Sequence, residues 1–61
     1  MSPRDELARI FNLYDRGIIS HYETFCQILD LSFGRFISLS DIEDYVHLPF
    51  DWDCVRSVLS N

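Results

Sequence analysis

Apolar residues recur at helical spacing from the start of the chain, where Leu7, Ile10, Phe11 and Tyr14 fall at i, i+3, i+4 and i+7 and so share one face. Ser2 followed by Pro3 supplies a cap and a preset first residue, and Asp5 and Glu6 meet the positive end of the helix dipole. Gly17 follows Arg16, and glycine enters the left-handed conformation that closes helices without steric cost. The pattern predicts a first helix over about residues 3–16. Two stretches further on read Ser20-His21-Tyr22-Glu23 and Ser40-Asp41-Ile42-Glu43, each preceded by an aliphatic residue. Both have the form of a capping box, in which a serine oxygen accepts the third backbone N–H of the helix and the glutamate reaches back. They predict helix starts at Ser20 and Ser40.

The second helix, about residues 20–33, carries a main stripe of Tyr22, Phe25, Cys26, Leu29 and Phe33, with Ile28 and Leu31 apolar beside it. A helix apolar on more than one side is central or shared with another chain, so this one is the expected hub. It should stop at Gly34. Phe36-Ile37-Ser38-Leu39 alternates like a brief strand, but a strand needs a partner and none is at hand. An extended connector whose apolar residues plug the core is the better reading. The third helix runs over about 40–48, with Ile42, Tyr45 and Val46 inward, until Pro49 ends it. Asp51 caps a fourth over about 51–60, faced by Trp52, Val55, Val58 and Leu59. The expected fold is all-α, one small domain of three to four short helices packed as two helical hairpins.

Size and charge narrow what such a fold does. A chain of 61 residues buries only about 60% of the surface that its unfolded form exposes. Five Phe, three Tyr and one Trp are more aromatic surface than so small a core hides easily, so some should face a partner. Ten acids oppose five bases, all arginine, for a net charge of −5. That balance argues against direct nucleic-acid binding, which relies on clustered Lys and Arg. Asp41, Glu43, Asp44, Asp51 and Asp53 form an acidic run with no base inside it. It reads as a solvated face, or as a surface for an arginine-rich partner or a mimic of nucleic acid. No 18-residue apolar run predicts a membrane span, and the first residues lack the apolar core of a signal peptide, so a cytoplasmic protein is expected. Cys26 and Cys54 are expected to be two buried thiols.

Residues 30–41, Asp30-Leu31-Ser32-Phe33-Gly34-Arg35-Phe36-Ile37-Ser38-Leu39-Ser40-Asp41, resemble a degenerate EF-hand loop at its first, third, eighth, ninth and twelfth positions. The resemblance implies a helix-loop-helix with Asp30, Ser32 and Asp41 as candidate calcium ligands. Arg35 stands where that motif wants glycine. The segment Leu7 to Leu29, with its Asp-x-Gly-x-Ile-Ser turn, is also similar to short helical-hairpin regions of uncharacterised small bacterial proteins. That likeness implies a hairpin and oligomerisation, not an activity. His21, Cys26, His47 and Cys54 fit no zinc spacing. Cys26 with a histidine and Asp30 is the only set resembling a nucleophile, a base and an acid, and a chain this short has little volume for a preorganised pocket.

The expectation is therefore a small acidic protein that needs no cofactor and acts as a non-enzymatic interaction or regulatory module, self-associating or bound to a basic protein. Phe36, Tyr45, Phe50 and Trp52 are the expected anchors, with Asp41, Glu43, Asp44, Asp51 and Asp53 as the acidic rim. A calcium-binding module and an acidic decoy for a nucleic-acid-binding protein are the alternatives.

Overall fold

A computed structural model describes residues 2–61. The helices are α1 (Pro3–Asp15), α2 (His21–Phe33), α3 (Leu39–Ile42) and α4 (Trp52–Ser60), with a 3₁₀ turn over Glu43–Tyr45 between the last two. No strand occurs among the described residues. Ser2 caps α1 by accepting the Asp5 N–H at 3.2 Å, and Asp51 caps α4 by accepting the Cys54 N–H at 3.2 Å. Ser20 accepts the Glu23 N–H at 3.0 Å, so the serine half of the first capping box is present.

The second box forms two residues early. Ser38 is the N-cap of α3, and the Asp41 carboxylate accepts the Ser38 N–H at 2.8 Å and its hydroxyl at 3.0 Å. Starting at Leu39 lets Ile42 point inward at 1% exposure while Asp41 reaches Arg4 across to α1. The third helix is also shorter than its 40–48 expectation. It tightens into the 3₁₀ turn at Glu43, well before Pro49, and Tyr45 then lies flat on Phe11 with ring centroids 4.4 Å apart.

Both long helices end in a Schellman motif. After α1, the Ile18 N–H donates to Leu13 O at 2.9 Å and the Gly17 N–H to Tyr14 O at 3.0 Å, with Gly17 at φ 75°. After α2 the same pair of bonds runs from Phe36 N–H to Leu31 O at 2.9 Å and from Arg35 N–H to Ser32 O at 3.1 Å. Here the left-handed residue is Arg35, at φ 60°, and not the neighbouring Gly34. A left-handed L-residue costs roughly 1–2 kcal/mol. In return the Arg35 guanidinium donates to Leu59 O at 3.1 Å and to Asn61 O, which satisfies carbonyls at the end of α4. At Gly34 a Cβ would meet the exposed Phe36 ring, which would have to swing aside.

The chain direction follows from these contacts. His21 stacks on Phe50 at the start of α2 and α4, and Arg35 meets Leu59 at their ends, so those two helices run the same way. Arg4 pairs with Asp41 and Phe11 with Tyr45, so α1 runs parallel to the α3 segment. Two antiparallel hairpins therefore pack side by side, as the breakers predict. Their core is Leu7, Phe11, Ile28, Ile37, Ile42, Trp52 and Val55.

The rotation of α2 about its own axis departs from expectation. Its fully buried line is Thr24, Ile28 and Ser32, each at 0% exposure, while Tyr22 and Phe33 are 78% and 69% exposed. The hydroxyls turn back on their own helix, Thr24 to Ser20 O at 2.7 Å and Ser32 to Ile28 O at 2.8 Å. No buried polar side-chain atom among the described residues lacks a partner. Satisfied in this way, two small polar residues are fully buried without leaving a hydroxyl unpaired. In the connector only Ile37 plugs the core, at 3% exposure, whereas Phe36 is 66% exposed.

Ile28→Ala should therefore cost about 2–5 kcal/mol, comparable to the roughly 3–5 kcal/mol that a core of this size supplies. Urea unfolding should find that variant largely unfolded in buffer. Tyr22→Ala should move the midpoint by less than about 0.5 kcal/mol.

Candidate functional site

Of the four expected aromatic anchors, Trp52 is buried, and Phe50 and Tyr45 are half-buried. Trp52 is 6% exposed, and its indole N–H donates to Leu48 O at 3.0 Å. Phe50 is half-buried, packed flat against His21 at 4.3 Å and edge-on to Tyr14 at 5.2 Å. Tyr45 is half-buried on Phe11. These rings tie the two hairpins together, which is what the surplus of aromatics chiefly does. Phe36 alone of the four is exposed, beside an apolar groove of ≈ 290 Å³ whose other walls include Pro3, Leu31 and Ile37.

Tyr22 and Phe33 are exposed as well, although the sequence pattern places them in the core. With the half-buried Cys26 and Leu29 they form one apolar line along α2. At 3.6 residues per turn, Tyr22, Cys26, Leu29 and Phe33 fall within roughly 60° of arc, centred about 130° from the Thr24–Ile28–Ser32 line. The stripe seen in the sequence is split by the fold: Phe25 and Leu29 lean on the core, while Tyr22 and Phe33 at its ends face outward. A signal for this exists in the sequence, because a helix with two apolar faces has one to spare.

The acidic run is broken up by the fold. Asp41 pairs with Arg4 at 3.7 Å with its side chain only 13% exposed, and Asp53 pairs with Arg56 at 3.6 Å. Asp51 is engaged as the cap of α4. Glu43 and Asp44 are left exposed, with no ion-pair partner among the described residues.

The calcium-loop register is not arranged as a loop. Its first four residues lie in α2 and Leu39 to Asp41 lie in α3. Asp30 is exposed on the helix, whereas the Ser32 hydroxyl is buried and bonded to Ile28 O. Only the helix-connector-helix order of the resemblance is present. Among the described residues no three His, Cys, Asp or Glu side chains are gathered to hold a metal ion. Cys26 is half-buried and Cys54 is exposed, which corrects the expectation of two buried thiols. Cys54 follows Asp51 by three residues on the outer side of α4, opposite the face that Trp52 and Val55 bury.

Cys26 has one chemical neighbour. The Tyr22 phenol is held above its ordinary pKa chiefly by the Cys26 side chain one turn along α2, whose polar and electrostatic interaction favours the neutral phenol. Cys26→Ala should bring the Tyr22 midpoint down toward the ordinary phenol value, read from its ring resonances across an alkaline titration. An unchanged midpoint would show that the two side chains do not interact.

No helix among the described residues is long and apolar enough to cross a membrane. No family model, curated protein or solved structure matches the chain.

Proposed function

We propose that this chain is a non-enzymatic protein-interaction module that works by pairing with a second copy of itself through the outer face of α2. The supporting observation is the line Tyr22, Cys26, Leu29, Phe33, with its two end aromatics 78% and 69% exposed. A solvated helix has no use for two bare aromatics on one face, and exposed apolar patches mark contact surfaces.

The order of side chains along the line favours a second copy. Tyr22 and Phe33 lie equally far from the midpoint between Gln27 and Ile28, and so do Cys26 and Leu29. Two copies related by a two-fold axis, with their α2 helices antiparallel, set Tyr22 against the partner's Phe33 and Cys26 against the partner's Leu29. That is the self-complementarity an isologous interface requires. A standard interface takes about 800 Å² from each partner, roughly a fifth of this chain's 3958 Å². The four residues alone cover less than that, so the dimer is a weak, reversible one. The net charge of −5 on each copy opposes association at low ionic strength.

Sedimentation equilibrium should therefore show a monomer–dimer equilibrium that tightens as salt is raised. Phe33→Glu should weaken it at least tenfold while leaving the helical circular dichroism unchanged. A wild-type chain that stays monomeric at millimolar concentration and physiological salt would remove this reading.

A further inference from the structure

A second surface, sharing no residue with the α2 stripe, lies where the end of α1 faces the 3₁₀ turn. It is a cleft of ≈ 260 Å³ with Phe11, Tyr14 and Tyr45 in its walls and Asp15, Asp44 and His47 at its margin. We propose that this cleft binds the guanidinium of an arginine side chain presented by a basic partner protein.

Size is the first argument. Pockets for drug-sized ligands and cofactors start at about 300 Å³, so this one suits a single long side chain. Wall chemistry is the second. Tyr14 and Tyr45 are half-buried, and Tyr45 is backed by the stacked Phe11, so the ring positions are held by the core and need no ordering on binding. A flat, weakly hydrated guanidinium lies well on such faces, and a compact ammonium does so less well.

Charge is the third argument, and it separates this cleft from the rest of the acidic surface. Asp15 and Asp44 are exposed, and neither has an ion-pair partner among the described residues, whereas Asp41 and Asp53 do. Asp15 stands in the last turn of α1, where the carbonyl end of the helix dipole already disfavours an anion. That placement works against the fold. It adds negative potential at the mouth of the cleft, where a cation gains from carboxylate and helix end together. The same two acids make charge-assisted hydrogen bonds available to the five N–H donors of a guanidinium. The apolar groove beside Phe36 lacks this combination, because its one lining acid, Glu6, is already engaged by Arg9.

The test is a nuclear magnetic resonance titration of the full chain with N-acetyl-arginine amide, using the neutral isostere N-acetyl-citrulline amide as the comparison. Saturable shifts are expected at Tyr14, Asp15, Asp44 and Tyr45, with citrulline at least tenfold weaker. The Asp15→Asn/Asp44→Asn double variant should lose at least tenfold in affinity for arginine, and Glu43→Gln should leave it within twofold. Both changes are at exposed positions, and an unchanged amide spectrum verifies that the fold is intact. Equal binding of citrulline would overturn the proposal, as would an equal loss in Glu43→Gln, shifts centred on other acids, or no saturation. None of these outcomes depends on whether the chain dimerises.

Discussion

The buried line Thr24–Ile28–Ser32 is the constraint from which the rest of the structure follows. Ile28 is the apolar residue of α2 that is wholly enclosed, and the hydroxyl residues one turn to either side are enclosed with it. Each hydroxyl is spent on a carbonyl of the same helix, at 2.7 and 2.8 Å, so burying it leaves nothing unsatisfied. Small side chains at this contact set the rotation of α2 against its neighbours, and the rotation decides which of its other residues see solvent. Tyr22 and Phe33 are outside because Thr24 and Ser32 are inside.

A second consequence concerns the aromatics. Rings from every segment fill the space between the hairpins, and α2 adds His21 and Phe25, both stacked on Phe50. Phe11 meets Tyr45, Phe50 and Trp52 at centroid distances of 4.4, 5.9 and 6.2 Å, which joins α1, the 3₁₀ turn and the start of α4. Arg35 closes the far end by reaching the last carbonyls of α4 from a left-handed position. The molecule is thus held by an aromatic cluster at one end and a cation on a helix C-terminus at the other. Its surface carries an apolar line on α2, an apolar groove beside Phe36, and an acidic, aromatic-walled cleft between α1 and the 3₁₀ turn.

Local signals in the sequence carried most of the architecture. Ser2-Pro3, the Ser20 cap, Gly17 and Asp51 mark helix ends by short-range chemistry, and each does so in the structure within a residue or two. The Ser40 cap misled because Ser38 and Asp41 offer a competing box with the same spacing, and the choice between them is made by the burial of Ile42 and the Arg4 contact. Helix rotation was half legible, since two apolar faces show that α2 has one to spare but not which one. Hydrophobic periodicity weights residues by size and polarity, so it favours Tyr22, Leu29 and Phe33 over Thr24 and Ser32, whereas close packing weights them by fit. The expectation of Trp52 and Phe50 as anchors has a different source, the surplus of aromatics, which the core absorbs more fully than its size suggests. The acidic cleft was half legible, since Asp44 and Tyr45 stand side by side in the chain, but Tyr14 and Asp15 join them only through the fold.

Hydroxyl-radical footprinting across a dilution series tests the central claim most directly, because it reads each aromatic ring separately. At low concentration Tyr22 and Phe33 should be oxidised much faster than Trp52 and Phe11. As concentration rises, protection should develop at Tyr22 and Phe33 and at no other ring. Trp52 reacting as fast as Tyr22 in dilute solution, or rates at Tyr22 and Phe33 that do not change with concentration, would contradict the account.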